Sequence, residues 1–148
     1  MYRYVLLILF LGFVLLQCDN TKNNKTTYHS HKLDKVPYSE SVQVGNILYI
    51  SGQIANTNDD YNKIVDGGIR AQVNQTMKNI QNILKKHSAT MDDIVKCTCI
   101  LADGDDWGPM SEEYVKYFTS NKPARTTFGG AQLGDGILVE IDCIAKLR

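Results

Sequence analysis

Apolar residues along this chain of 148 residues fall into two regimes. From Tyr4 to Leu16 they run together, 13 residues without a charge. From residue 36 onward they are spaced, and the spacing switches between two periods. "SVQVGNILYISGQIA" reads as two β runs around Gly45–Asn46, a hairpin signal. "NTNDDYNKIVDGG" is polar and reads as a loop. Over about Ile69 to His87, Ile69, Val73, Met77, Ile80, Ile83 and Leu84 form a single stripe at the 3.6-residue period, so an amphipathic helix is expected with Met77 in the core. "DIVKCTCILAD" suits a mostly buried strand. A second helix is expected near Pro109 to Thr119, with proline at its start and Met110, Tyr114, Tyr117 and Phe118 on one side. Two strands follow, one from about Arg125 and one in "GILVEIDCIAK".

In that last strand Ile137, Val139, Ile141, Cys143 and Ala145 alternate with Leu138, Glu140, Asp142 and Ile144. The first set should pack under the helices and the second should face away. The expected order is ββαβαββ, an α+β fold with both helices on one face of the sheet. The outer face poses a problem. Leu138 and Ile144 make it too apolar for simple exposure, while Glu140 and Asp142 make it too charged for a dry core. A subunit interface with polar pockets meets both constraints; a half-wet antiparallel face is the other reading.

Charge narrows the partners. The chain carries 16 basic and 16 acidic residues, but residues 1–35 hold five of the basic and only two of the acidic ones. Residues 36–148 therefore have a net charge of −3. A mildly acidic domain is poorly suited to phosphate-backbone binding, so no nucleic-acid partner is expected.

Residues 1–18 read as an export signal: Arg3, then an apolar stretch too short for a bilayer span but suited to a signal-peptide core. "LLQC" looks like a bacterial lipobox, which makes Cys18 a candidate lipidation site and the chain a membrane-anchored lipoprotein of the cell envelope facing the periplasm. Gln17 departs from the small residue usual there, and an ordinary signal peptide or membrane-held terminus with Cys18 incidental is the alternative. Residues 19–35 are polar and Asn/Thr/Lys-rich, the composition of a flexible tether. Its His29 and His31 are expected to be solvated, not metal ligands. The folded domain is then 36–148. Cys97, Cys99 and Cys143 show no metal-ligand spacing and read as buried free thiols.

"NKPARTTFGG" places the permanent charge of Arg125 at the entrance to a strand that otherwise looks built for burial. Gripping a carboxylate is one use for it; a surface salt bridge is the other.

"PYSESVQVGNILYISGQI", "QTMKNIQNILKKHSATMDDIVKCTCILADGDDW", "YVKYF", "KPARTTF" and "LVEIDCIAK" resemble, in order and spacing, the Rid family of reactive intermediate (imine/enamine) deaminases, also called YjgF-like. The resemblance covers about residues 35–148. It implies a chorismate-mutase-like fold with a mixed sheet, a homotrimer with the sheets packed around the three-fold axis, and an active site in each inter-subunit cleft. It also implies hydrolysis of 2-imino acids to 2-keto acids and ammonia without metal or organic cofactor. Arg125 falls on the arginine of the "PAR" motif, which grips the substrate carboxylate. Glu140 falls on the glutamate that positions and deprotonates water. Tyr38 matches a tyrosine near the ligand, although Val36 replaces the usual glycine of that element. Ser51 matches a cleft-lining serine, or marks a close-packed strand end. Trp107 stands where Phe is common and forms a pocket wall or packs the helix cap. Thr127 replaces a frequent cysteine, acting through its backbone N–H, and Ser111 replaces an asparagine. "AQLGDG" lacks the usual proline. Two functions follow: an imine deaminase delivered to the envelope, or a non-catalytic module that binds small carboxylates or another protein there.

Overall fold

The structure, a computed structural model, describes residues 25–33, 36–57 and 60–148. The expected leader and Cys18 lie outside the described residues. Six strands form one sheet: β1 (Thr26–Ser30), β2 (Ser39–Val44), β3 (Ile47–Gln53), β4 (Ile94–Leu101), β5 (Ala124–Phe128) and β6 (Val139–Lys146). Helix α1 (Gly68–Lys86) lies between β3 and β4, and α2 (Trp107–Tyr114) between β4 and β5. The strand order is β1-β2-β3-β6-β4-β5, antiparallel except for the parallel pair β4–β5, which makes the sheet mixed. From β2 onward this is the expected ββαβαββ order.

β1 corrects the expected domain boundary. Thr26–Ser30 lie within the segment read as a flexible tether, yet they pair antiparallel with β2, from Thr26 opposite Val44 to Ser30 opposite Ser39. The polar composition misleads because an edge strand is held by backbone hydrogen bonds to one neighbour and need not bury an apolar face. The histidines are corrected with it. His29 sits edge-on to His87 at 4.4 Å between ring centroids, and His31 packs against Tyr38 and Tyr61.

The hairpin turns at Gly45–Asn46 with Val44 opposite Ile47. Only the glycine takes positive φ, 59°, as a two-residue turn with glycine at its first central position requires. Helix α1 delivers the predicted stripe: Val73, Met77, Ile80 and Leu84 are fully buried against Leu48, Ile50, Cys97, Ile141 and Cys143. Helix α2 begins at Trp107, two residues before the expected proline, and gives way to a 3₁₀ turn at Val115–Tyr117. The Asp103 carboxylate, accepting from Asp105 N–H, organises the turn that starts it early. Met110, Tyr114 and Phe118 are buried as expected.

Two buried amides on α1 fix the loops that matter for the site. Gln72 donates to Gly136 O at 2.7 Å and accepts from Leu138 N–H at 2.8 Å, aligning the chain as it enters β6. Asn79 donates to the carbonyls of Ile54 and Asn56, both at 3.0 Å, and so anchors the loop after β3. Satisfying both groups in the interior makes each contact worth more than a surface hydrogen bond.

Candidate active site

β6 alternates as predicted: Val139, Ile141, Cys143 and Ala145 are buried under the helices, while Glu140, Asp142 and Ile144 lie on the outer face. Register carries that parity across the sheet. Glu140 is opposite Ile100, and Ile100 opposite Phe128, so these three share the outer face. Cys143 is opposite Cys97, and Cys97 opposite Arg125, so Arg125 emerges on the helix side. The two residues expected to act together thus lie on opposite faces of the sheet in one chain.

The predicted residues gather in two groups. Around Arg125, Nη2 donates to Ser111 Oγ at 3.0 Å and Nη1 points to Met110 Sδ at 3.9 Å. The guanidinium carbon lies 5.4 Å from the Trp107 ring centroid and 5.1 Å from that of Tyr114. Trp107, half exposed, stands with its ring beside the cation. Thr127 is two residues on, on the same face, opposite Cys99. Among the described residues no carboxylate pairs with Arg125. The cation is held by a neutral hydroxyl, a thioether and two aromatic faces.

The second group lies at the β3–β6 junction. The carboxylate of Glu140 rests on Gly52, where an added Cβ would fall 2.8 Å from its Cδ and closer still to Oε1. Only glycine leaves that space. The β3–β6 register shifts between Ile50 and Gln53, which brings Gly52 against the outer face. Burial, and then the charge of Asp142, push the Glu140 carboxyl above the ordinary carboxylate range, the direction a base near neutrality needs. Ser51 Oγ donates to Ser39 O at 2.7 Å, so its side chain ties β3 to the start of β2. Tyr38 and Tyr61 share a hydrogen bond at 3.2 Å between hydroxyls. Burial, the bond to Tyr38 and the field of Glu140 raise the Tyr61 phenol to about 12.

Tyr61 and His31 were missed as neighbours of this group. Tyr61 lay in a segment read only as polar loop, and His31 in the presumed tether. Their rings meet at 5.1 Å between centroids. The one signal available was an aromatic in each of two otherwise polar stretches. No group of three or more His, Cys, Asp or Glu placed to hold a metal occurs among the described residues.

The outer face carries exposed apolar side chains beside its charged ones. Tyr28, Val44, Tyr49 and Phe128 are 71%, 38%, 46% and 49% exposed. Row partners such as Tyr49 and Ile144 place them on the face that carries Glu140.

A family model described as Endoribonuclease L-PSP matches residues 30–147. A RutC family protein of Pyrococcus abyssi is 37% identical over 109 residues, which are 74% of this chain and 85% of that protein. A mouse protein named 2-iminobutanoate/2-iminopropanoate deaminase is 39% identical over 109 residues, covering 74% of this chain and 80% of its own. Among solved structures, yeast Mmf1 superposes with a TM-score of 0.75 at 34% identity, over 84% of this chain and all of that one. RidA from an Antarctic Psychrobacter gives 0.72 at 30% identity, over 80% and 94%. The fold, the order of its elements and these likenesses agree: the chain belongs to the Rid family (YjgF-like, L-PSP).

Proposed function

We propose that the protein hydrolyses 2-imino acids to 2-keto acids and ammonia, at sites built from the Arg125 group of one subunit and the Glu140 group of a neighbour in a homotrimer. The observation that carries this reading is Arg125, a half-buried cation with no carboxylate partner among the described residues. Its planar fork donates two parallel bonds to a substrate carboxylate, fixing orientation as well as charge. The imine carbon of a protonated 2-imino acid is already electrophilic. Glu140 takes a proton from a water whose oxygen adds to that carbon, giving a carbinolamine. Glu140 hands that proton on to the nitrogen and then takes the proton of the new hydroxyl as the C–N bond breaks, so that the carbonyl forms and ammonia leaves. Positioning and a base suffice, and no cofactor is invoked. The opposite faces of Arg125 and Glu140 support a shared site, and the exposed apolar side chains of the outer face support association through it. The curated name of the mouse relative supports the substrate class.

The test is ammonia release from imino acids generated in situ. Arg125→Ala and Glu140→Gln should each be inactive as pure proteins. Unfolded and reassembled together one to one, they should regain about one quarter of wild-type sites, because only a site that takes Arg125 from a Glu140→Gln subunit and Glu140 from an Arg125→Ala subunit is intact. No recovery despite mixed trimers would sink the shared site; equal turnover by wild type and Arg125→Ala would sink the reaction.

Carboxylate binding without turnover is the second reading, favoured by the fact that one chain holds the grip without the base. It predicts Arg125-dependent calorimetric binding of a small 2-keto acid and no ammonia release. Export to the envelope belongs to the proposal too, and the mass of the mature chain, which would begin at a lipidated Cys18, tests it.

A further inference from the structure

Cys97 and Cys143 have no part in the proposed chemistry, and their placement calls for a use. They are directly opposite each other on the antiparallel pair β4–β6. Opposed residues on such a pair have Cα atoms about 4.5–5.5 Å apart, within the roughly 4.4–6.8 Å that a disulfide spans. Both thiols are free and buried on the helix side, and their sulfurs lie 2.8 Å apart. Even carbon pairs in contact sit about 3.5–4.0 Å apart, so the two sulfurs are inside ordinary packing distance. Cys99, equally buried, is opposite Ile141 and has no cysteine across from it.

We infer that Cys97 and Cys143 are a disulfide-forming pair that cross-links the two central strands β4 and β6 when the chain meets a disulfide oxidant. The Cys97 thiolate attacks one sulfur of the oxidant, releasing one thiol and forming a mixed disulfide. Cys143 then attacks Cys97 Sγ, releasing the second thiol and leaving one S–S bond. Two S–H bonds of the protein are lost, and their protons and two electrons end on the oxidant's two sulfurs. The hydrogen bond from Cys143 holds the Cys97 thiol below its ordinary range, while burial raises Cys143, which makes Cys97 the first nucleophile. The bond closes a long loop, since the pair is 46 residues apart in sequence. It lies directly behind Tyr114, whose buried hydroxyl faces Cys97 and whose ring supports Arg125.

The test uses the full-length chain with glutathione disulfide as oxidant, in two arms. In one, denatured and reduced protein is refolded in mixed oxidised and reduced glutathione; in the other, native protein is held in oxidised glutathione just below its unfolding midpoint. Samples are alkylated under denaturing conditions, digested without reductant and read by mass spectrometry. Expected is a Cys97–Cys143 cross-linked peptide pair with Cys99 alkylated. The unfolding midpoint of the oxidised chain should exceed that of the reduced chain by on the order of 5–10 °C. That difference should vanish in Cys143→Ala. Complete alkylation of Cys97 and Cys143 in both arms, or a link that uses Cys99, overturns the inference. So does a Cys97–Cys143 link that leaves the midpoint unmoved or lowers it, because the native sheet would then not accommodate the bond.

Discussion

Replacing Gly52 by alanine separates the placement of Glu140 from the stability of the fold. The new Cβ would stand 2.8 Å from Glu140 Cδ, against the roughly 3.5–4.0 Å of ordinary contact. Oε1 would be closer still, so the carboxylate must retreat by more than about 1 Å. It is the free end of a flexible side chain on an open face, so the retreat costs little folding energy. Gly52 is not among the glycines with positive φ. The substitution thus imposes no left-handed strain, and the lost freedom of the unfolded chain favours alanine by about 0.4–1 kcal/mol. Activity should respond differently. A misplacement of about 1 Å costs on the order of 10²-fold in rate, or about 2.7 kcal/mol of transition-state stabilisation. The carboxylate grip belongs to Arg125, so KM should change little. The assay is initial ammonia release over a range of imino acid, beside urea denaturation of the same preparations. The expected outcome is kcat down about 100-fold with stability level or slightly raised. Wild-type kcat in Gly52→Ala would refute the role given to Glu140. A loss of more than about 2 kcal/mol in stability would refute the claim that the side chain yields.

Asp142 raises the Glu140 carboxyl, second to burial; because the base works ionised, Asp142→Asn should move the acid limb of the kcat–pH profile to lower pH, and an unmoved limb would count against Glu140. Asp93 accepts from Thr90 N–H at 2.8 Å and Thr90 Oγ1 at 2.9 Å, so Asp93→Ala should cost about 1 kcal/mol at neutral pH by denaturant titration. The Asp93 carboxyl is held low, chiefly by the Thr90 backbone bond; its contribution is complete above the unfolded pKa and fades as pH falls through the folded one, so the gap to wild type should close in strong acid. Met77 is fully buried, and Met77→Ala should lower stability by about 2–5 kcal/mol, read as an earlier urea midpoint with mixed-variant complementation intact.

Much of this architecture is legible from pattern. The α1 stripe, the Gly45–Asn46 turn and the alternation of β6 each follow from a period set by local backbone geometry. β1 was not legible, because Thr26–Ser30 contribute backbone pairing to an edge and almost no buried side chain. Tyr61 and His31 escaped for a related reason: loop positions carry no period, and the Asn79 hydrogen bonds that seat the loop before Tyr61 come from a helix far along the chain. Arg125 and Glu140 stood out from their strand context, whereas Tyr38, Ser51, Trp107 and Thr127 were found only because family motifs fell on them. The resemblance left Ser51 and Trp107 with two readings each, and only the tertiary structure supplies their contacts, Ser39 O for the Ser51 hydroxyl and the Arg125 guanidinium for the Trp107 ring.

From the residues themselves came the face of Glu140, since alternation within one strand sets which neighbours share its side. The face of Arg125 did not. A strand's own period orders its side chains relative to one another but says nothing about which way the set is turned. That was decided by parallel pairing with β4, which puts Arg125 opposite Cys97 and under α2. Pairing register between segments well apart in sequence is a tertiary property, settled by the burial of Cys97, Cys143 and Met110 together.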